Sequence, residues 1–294
     1  MSRRQPLIWA ALQGFRRVCC ALPHERAVAL GGAMGRAVQR LSGTKAEKAR
    51  ARCARILGVP DGEARAIVSS AYEHFGRALV EFVRLPQMRE ALPDLVDLRG
   101  EEHLRAALAR GKGVILLSAH IGCWEYGAAR IAQRGFPMNA IGAEQRDPRI
   151  TAAIESLRRA GGVKPVGKGM DLRAAITCLK RNEVLAVLLD QDAKEHGIVS
   201  PFLGQPASTP LGPIRLAQKI GCAVVPALVA RAADGIHITM TLEAALQGKD
   251  GAPFGDDAQF AADACNAVIS RWIREYPGQW MWMYPRWAST LGDR

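Results

Sequence analysis

The sequence GVILLSAHIGCWE, residues 113–125, combines an apolar run, a turn of small residues, a histidine and a carboxylate. The run Val114–Leu117 has the short, aliphatic composition of a buried strand. Small residues that include Gly122 follow it, which is typical of a turn. His120 lies in this turn, and Glu125 lies at the start of a predicted helix. The order strand, turn and helix therefore places two chemically reactive side chains beyond the end of one strand.

The five-residue spacing of His120 and Glu125 favours a strand, turn and helix start over a single helix. On one helix the two side chains would point about 140° apart around the axis. With His120 at the carboxyl end of the strand and Glu125 in the first helical turn, the carboxylate can hold one imidazole nitrogen. The other nitrogen is then free to accept a proton. The alternative is a structural histidine at a turn, with Glu125 favourably placed near a helix N-terminus.

From Asp94 onward, short apolar segments alternate with amphipathic ones. We predict strands near 95–99, 113–119, 138–143, 183–190, 222–231 and 236–243, and helices near 101–110, 123–134, 148–160, 170–180, 209–220 and 257–276. This alternation predicts an α/β fold with a largely parallel central sheet flanked by helices. Ligands bind such sheets beyond the carboxyl ends of the strands. His120 lies at one such end, and the sequence Asp190-Gln191-Asp192 lies at another.

The first 92 residues have a different pattern, which predicts a helical N-terminal region. Apolar residues at helical spacing indicate helices at roughly 7–22, 24–41, 45–57 and 62–91. Pro93 marks the end of the last of these helices. We therefore expect two parts, a basic helical region at residues 1–92 and an α/β domain at residues 93–294.

The predicted helix at residues 7–22 is amphipathic. Its apolar face carries Ile8, Leu12, Phe15, Cys19 and Leu22, while Arg16 and Arg17 lie elsewhere on the helix. Such a helix can lie in a membrane interface, with its apolar face in the acyl boundary and its arginines on anionic headgroups. It can also pack on the core as an ordinary helix, and the pattern leaves both interpretations open.

The positive charge of the chain is concentrated near its N-terminus. The 294 residues have a formal net charge of +12. Residues 1–60 contain twelve Lys and Arg against Glu25 and Glu47, which is a net charge of +10. A basic block of this kind favours an anionic partner, such as lipid headgroups, nucleic acid or an acidic carrier protein. Because no nucleic-acid-binding motif is present, we expect no nucleic-acid partner.

The seven cysteines are scattered and include no C-x-x-C pair. An odd and dispersed set argues against a disulfide scaffold and against a zinc site, and it suits a reducing cytoplasm. No apolar run approaches the roughly 20 residues that a membrane-spanning helix needs. We expect a globular protein without a transmembrane segment.

Two further segments have distinctive compositions. The stretch from Ala193 to Pro210 is rich in glycine and proline, which predicts a long loop that is either functional or a plain surface excursion. Trp280, Trp282 and Tyr284 alternate, which predicts three aromatic side chains on one face of a strand. Aromatic side chains in this pattern more often pack in a core than contact lipid.

Several blocks of the sequence occur together in an order that is typical of one family. They are Glu102-His103-Leu104, the run from Gly111 to His120, Gly122-Cys123-Trp124-Glu125, Arg146 after a strand, Asp190-Gln191-Asp192, Pro201-Phe202-Leu203-Gly204, Pro206-Ala207-Ser208-Thr209, and Gln279-Trp280-Met281-Trp282-Met283 before Arg286-Trp287. Between about Asp94 and Trp287 the chain closely resembles the bacterial late acyltransferases of lipid A biosynthesis. These lauroyl- and myristoyltransferases belong to the lysophospholipid acyltransferase superfamily with its H-x4-D/E motif.

The resemblance implies a glycerol-3-phosphate acyltransferase-like fold and transfer of a fatty acyl group from a thioester to a hydroxyl of a lipid acceptor. The family's donor is usually an acyl carrier protein thioester, and its site of action is the cytoplasmic face of the inner membrane. By resemblance, His120 is the general base and Glu125 the carboxylate that orients it. The family pattern includes neither a metal nor a cofactor. The expected partners are therefore the acyl donor, the lipid acceptor and an anionic membrane surface.

The resemblance also assigns substrate contacts. Arg146 resembles a family arginine near the acceptor site, and a guanidinium suits phosphate, although a surface salt bridge is the alternative. Asp190 and Asp192 occupy the second acidic motif, where they can orient Arg146 or sugar hydroxyls, or else form a turn or helix cap. Cys123 stands where the family usually has Asn, which raises the question of thiol chemistry. Tyr284-Pro285 replaces a basic pair often found before the final arginine.

Other functions stay open alongside this one. Within the same class, the acceptor can be a lysophospholipid or another glycolipid, and the donor can be acyl-coenzyme A. From a different class, the chain can be a basic membrane- or nucleic-acid-binding module with a degenerate site. A thioesterase that passes the acyl group to water is a third possibility, although no G-x-S-x-G motif supports it.

Overall fold

A computed structural model describes residues 5–166, 172–249, 251 and 254–293. The N-terminal helices are α1 (Gln5–Ala21), α2 (His24–Leu41), α3 (Thr44–Leu57), α4 (Asp61–Met88) and the single turn α5 (Leu92–Leu95). The later helices are α6 (Glu101–Leu108), α7 (Trp124–Gln133), α8 (Pro148–Ala160), α9 (Leu172–Lys180), α10 (Gly212–Ile220) and α11 (Ala258–Glu275). The helical segments predicted from the sequence agree with these bounds to within a few residues. Residues 170 and 171 of the helix predicted at 170–180 lie outside the described part of the chain.

The strands form one mixed sheet and one hairpin. They are β1 (Val96–Arg99), β2 (Val114–Ser118), β3 (Met138–Ile141), β4 (Lys164–Val166), β5 (Val184–Leu188), β6 (Gly197–Phe202), β7 (Gln205–Pro210), β8 (Ala223–Arg231) and β9 (Ile238–Leu242). The seven-stranded sheet has the order β1-β9-β8-β2-β5-β3-β4. Five neighbouring strands from β8 to β4 are parallel, and β9 pairs antiparallel to β8 with β1 parallel beside it. The predicted α/β fold with a largely parallel sheet is confirmed.

Strand β2 lies in the middle of the sheet and is buried on both faces. Its side chains alternate between two apolar clusters, because successive residues of a strand point to opposite faces. Ile115 and Leu117 pack in the cluster that includes α9, α10 and α11. Val114 and Leu116 pack in the cluster that includes α6 and α7. The apolar run that opens the motif is therefore the centre of the core.

The turn after β2 has a conformation that requires glycine. Gly122 has φ +61°, in the left-handed region, and a Cβ atom built there would lie 2.1 Å from the carbonyl oxygen of Val229. Helix α7 then begins at Trp124, as the motif predicts. His120 consequently lies beyond the end of β2, and Glu125 lies in the first turn of α7.

A buried ion pair joins the N-terminal helices to the sheet. Glu81 of α4 and Arg231 at the end of β8 are both fully buried, and two guanidinium nitrogens donate to the two carboxylate oxygens at 2.6 and 2.5 Å. Such a pair holds its elements in place, because removing one partner leaves an uncompensated buried charge that typically costs about 3–5 kcal/mol. The predicted boundary between residues 92 and 93 stays a prediction.

Three sequence predictions differ from the structure. The expected loop from 193 to 210 contains the antiparallel hairpin β6–β7, whose turn residues Leu203 and Gly204 both have positive φ. Strand β4 was not predicted, because three residues are too few for a periodic pattern. No extended strand carries the three aromatic residues: Trp280 forms an isolated bridge, Trp282 lies in a turn and Tyr284 in a bend, although Trp280 and Trp282 are buried in the core. Each described helix is too short or too polar to traverse a lipid bilayer.

Candidate active site

His120 contacts Asp190 where β2 and β5 end side by side. The two strands pair in parallel with Ser118 opposite Leu188, so the residues two positions beyond each strand are also neighbours. His120 Nδ1 lies 2.8 Å from Asp190 Oδ1, and the His120 backbone N–H donates to Asp190 Oδ2 at 2.8 Å. The carboxylate therefore fixes both the ring and the backbone of the histidine.

Asp190 is buried, and a third donor completes its hydrogen bonds. The side chain is 2 % exposed, and the indole Nε1 of Trp280 donates to Oδ2 at 2.8 Å. Trp280 also forms an isolated antiparallel bridge with Ile121, next to the histidine. The C-terminal segment therefore packs directly beneath the active-site turn.

The charges around His120 alter its protonation. Burial lowers the pKa of His120, but the Asp190 carboxylate and the nearby Glu125 outweigh burial, so the net pKa is raised above the ordinary 6.5. Burial raises the pKa of Asp190, but the contact with His120 outweighs it, so the net pKa is lowered. Asp190 is thus held as a carboxylate beside a basic imidazole.

Glu125 does not contact the imidazole, so the predicted contact between these two side chains is wrong. Arg158 of α8 binds the Glu125 carboxylate, with Nη2 at 2.6 Å from Oε1 and Nε at 3.1 Å from Oε2. The reason lies in the strand register, which brings Asp190 to Nδ1 and leaves Glu125 facing α8. The negative charge of Glu125 still contributes to the raised pKa of His120.

A large cavity lies above the histidine. Its volume is about 720 Å³, within the range of small-molecule sites. His120, Glu125 and Arg158 line it, together with apolar residues of α1, α4, α7 and α8 that include Trp9, Leu12, Phe15, Phe75, Phe82, Trp124, Ile150 and Leu157. Because Nδ1 faces the buried Asp190, Nε2 is the ring nitrogen that remains for a molecule in the cavity. The ring of Trp124 packs edge-on against the imidazole, with centroids 5.1 Å apart.

Helix α1 both packs on the protein and exposes apolar side chains. Cys19 is buried with Val80 of α4, and Phe15 packs against the same cluster. Arg84 of α4 donates to the carbonyl oxygens of Cys19 and Leu22 and so anchors the C-terminal end of α1. Leu7, Ile8 and Val18 are 73 %, 51 % and 54 % exposed. The helix predicted at residues 7–22 therefore forms one wall of the cavity, and its outer surface exposes apolar side chains beside Arg16 and Arg17.

Arg146 and Asp192, the other residues predicted to contact substrate, lie apart from the contact between His120 and Asp190. Arg146 is exposed in the segment between β3 and α8, and within the described ranges its side chain makes no hydrogen bond or ion pair. The Asp192 side chain accepts from the backbone N–H of Lys194 and from both the N–H and the hydroxyl of Ser289. Asp190 and Asp192 do not contact Arg146, because Asp190 faces His120 and Asp192 faces the C-terminal segment.

The two residues that depart from the family pattern, Cys123 and Tyr284, are placed to support the fold. Burial raises the pKa of the Cys123 thiol well above its ordinary value, so the reactive thiolate is disfavoured. The hydroxyl of Tyr284 accepts from the backbone N–H of Asp192 at 3.2 Å. Tyr284 therefore braces the segment that follows β5.

Sequence reasoning missed Arg158 and Trp280 as residues of this site. Arg158 lies in an amphipathic helix among other arginines, and no local pattern separates it from them. Trp280 was interpreted as a core residue, which its burial confirms, but its hydrogen bond to Asp190 spans 90 residues of sequence. The sequence did indicate that Asp190 lies near the site, because His120 and Asp190 each follow the carboxyl end of an apolar strand.

The known proteins that this chain resembles are acyltransferases, and the similarity extends over most of its length. The family model of bacterial lipid A biosynthesis acyltransferases matches residues 2–289. The phosphatidylinositol mannoside acyltransferase of Mycolicibacterium smegmatis is 28% identical over 293 residues, which cover 94% of this chain and 90% of the relative. The corresponding protein of Mycobacterium tuberculosis H37Rv is 27% identical over 84% of this chain and 78% of the relative. The lipid A biosynthesis lauroyltransferase of Escherichia coli K12 is 28% identical over 77% of this chain and 73% of the relative.

Replacing Asp190 by Asn is expected to lower the pKa of His120, because the carboxylate no longer stabilises the imidazolium. NMR titration of the His120 ring should give a value above 6.5 in the native protein and a lower value in Asp190→Asn. Asp192→Asn is the matched control, since Asp192 faces Ser289 and not the imidazole. An unchanged His120 titration in Asp190→Asn would contradict the assigned contact.

Proposed function

The chain belongs to the bacterial lipid A biosynthesis acyltransferase family, and we propose that it uses His120 to transfer a fatty acyl group from a thioester to a hydroxyl of a glycolipid. Its relatives are named as acyltransferases that act on lipids, so the protein is an acyltransferase with a lipid acceptor. The donor, the precise acceptor and the residue roles are our proposal. The single observation that carries it is an imidazole held by a buried carboxylate at the floor of a large apolar cavity.

The proposed reaction is a direct transfer. Nε2 of His120 takes the proton of the acceptor hydroxyl while its oxygen attacks the thioester carbonyl carbon. The carbon–sulfur bond then breaks, and the proton passes from the imidazolium to the thiolate that leaves. Asp190 keeps Nδ1 as the proton-bearing nitrogen and stabilises the imidazolium, as the carboxylate of a hydrolase triad does.

Glu125 and Arg158 have a supporting role in this proposal. Glu125 contributes negative charge that raises the basicity of His120, and the guanidinium of Arg158 fixes that carboxylate. Arg158 also lines the cavity, where its positive charge is partly neutralised by Glu125. The backbone N–H groups at the start of α7 lack acceptors within the helix, so they are candidates to stabilise the oxyanion of the tetrahedral intermediate.

The acceptor is proposed from the relatives. One group is named for phosphatidylinositol mannoside and another for lipid A, and both are glycolipids. We propose a lipid A precursor or a related glycolipid as the acceptor, with Arg146 as a candidate contact for a phosphate at the rim. For the donor, the net charge of +12 favours an acidic acyl carrier protein, with acyl-coenzyme A as the alternative anionic donor. Neither a metal nor a cofactor is part of this proposal.

The exposed surface of α1 supports contact with a membrane. Leu7, Ile8 and Val18 are apolar and exposed, and Arg16 and Arg17 are exposed on the same helix. This combination fits a helix that inserts apolar side chains between acyl chains while arginines bind anionic headgroups. We propose a peripheral attachment at the cytoplasmic face of the inner membrane, which would deliver a lipid acceptor to the adjacent cavity.

Replacing His120 by Ala is expected to reduce acyl transfer by at least about 100-fold, because a positioned general base contributes roughly 10²- to 10⁴-fold. Purified protein, an acyl carrier protein thioester and a lipid A precursor are mixed, and lipid product and free fatty acid are both measured. His196→Ala serves as the control, since that side chain is exposed before β6. Full activity of His120→Ala would overturn the proposed mechanism, and free fatty acid as the main product would identify a thioesterase. Binding of RNA or membrane with no thioester turnover would identify a binding module.

Replacing Leu7 and Ile8 together by Asn is expected to weaken binding to phosphatidylglycerol vesicles by about ten-fold or more, because two apolar side chains no longer leave water. Vesicle co-sedimentation measures this loss. Val199→Asn provides the comparison, because Val199 is 56 % exposed in the β6–β7 hairpin and lies outside α1. Equal vesicle binding by the α1 variant and the native protein would show that α1 is not the attachment element.

A further inference from the structure

The second oxygen of Asp190 has an unusual set of partners. Oδ1 faces His120 Nδ1, while Oδ2 accepts from the His120 backbone N–H and from the indole Nε1 of Trp280, each at 2.8 Å. An indole N–H only donates, so it can bind the carboxylate but cannot compete for a proton. The contact therefore occupies Oδ2 and leaves Oδ1 to the imidazole.

Trp280 itself is out of reach of any substrate. It is 1 % exposed and packs against the rings of Phe202, Trp282 and Trp287, with centroid distances of 5.7, 4.7 and 6.1 Å. Its backbone bridges Ile121, and its side chain reaches the site through the hydrogen bond to Asp190. The residue is thus a candidate for positioning and not for catalysis.

The segment that carries Trp280 is anchored on both sides. The side-chain amide of Gln279 accepts from the backbone N–H of Arg231 and donates to its carbonyl oxygen, each at 2.8 Å. The Gln279 carbonyl oxygen accepts from the N–H of Gly122 in the active-site turn. Arg231 is in turn held by Glu81 of α4. These bonds fix the indole at one position relative to β2 and β5.

We propose that Trp280 is a positioning residue for the acyl transfer, which fixes the Asp190 carboxylate so that one oxygen stays on Nδ1 of the general base. The inference rests on the proposed function of His120. It assigns a catalytic consequence to the C-terminal segment, which lies outside the H-x4-E motif. Without the indole N–H, Oδ2 keeps only the His120 backbone N–H, so the carboxylate is held by one hydrogen bond fewer and its contact with Nδ1 of the imidazole weakens.

Trp282 offers a matched control in the same aromatic cluster. It is fully buried, and its ring stacks edge-on against Trp280 with centroids 4.7 Å apart. Its indole Nε1 donates to the carbonyl oxygen of Pro277 at 2.8 Å and not to Asp190. Trp282→Phe therefore removes a similar ring and a similar hydrogen bond from the same core without changing the partners of the carboxylate.

A double-mutant cycle of Trp280→Phe and Asp190→Ala tests the proposal. Trp280→Phe is expected to lower kcat by about ten-fold in the native background, the loss typical of one hydrogen bond to a charged group. In the Asp190→Ala background, Trp280→Phe should change kcat less than two-fold. In the native background, Trp282→Phe should also change kcat less than two-fold. A Trp280→Phe loss that is equal in both backgrounds, or equal to that of Trp282→Phe, would overturn the proposal.

A second variant keeps the test independent of folding. Replacing Trp280 by 3-benzothienylalanine, in which sulfur replaces the indole N–H, preserves the size of the ring and is expected to reproduce the kcat loss of Trp280→Phe. Native activity in this variant would contradict positioning through the hydrogen bond. A wrong assignment of His120 as the general base would be recognised by a different result, which is full acyl-transfer activity of His120→Ala.

Discussion

The parallel pairing of β2 with β5 determines the geometry of the candidate site. The register places Ser118 opposite Leu188, so the residues two positions further along, His120 and Asp190, meet beyond the edge of the sheet. A shift of one residue would turn the side chains of either strand to the other face. This register therefore sets the distance between the imidazole and its carboxylate.

Three acidic side chains in or near the lining of the cavity each have a basic partner. Glu81 is paired with Arg231, Glu125 with Arg158, and Asp190 with His120 and the indole of Trp280. This pairing is needed because a buried charge without a partner is strongly destabilising. It also joins distant parts of the chain, since Arg231 binds both α4 and Gln279 of the C-terminal segment. The polar floor is therefore cross-linked by hydrogen bonds, while the cavity above it is largely apolar.

Local features of the site were predictable from the sequence, and long-range ones were not. The apolar run, Gly122 and the start of α7 follow from composition and turn chemistry, and they place His120 and Glu125 correctly along the chain. The partner of His120 depends on which strands are neighbours. Strands β3 and β4 intervene in sequence between β2 and β5, so only packing of the whole sheet decides that β5 lies beside β2. The contacts of Arg158 and Trp280 depend on tertiary packing in the same way.

Direct transfer from thioester to hydroxyl is tested best by intact-protein mass spectrometry of the enzyme mixed with its acyl donor in the absence of an acceptor. A general base at His120 predicts a protein of unmodified mass, which forms acylated lipid as soon as the acceptor is added. An adduct with the mass of the acyl group, which then passes to the acceptor, would instead show a covalent intermediate on a side chain such as Cys123. That result would contradict direct transfer of the acyl group from the thioester to the acceptor hydroxyl.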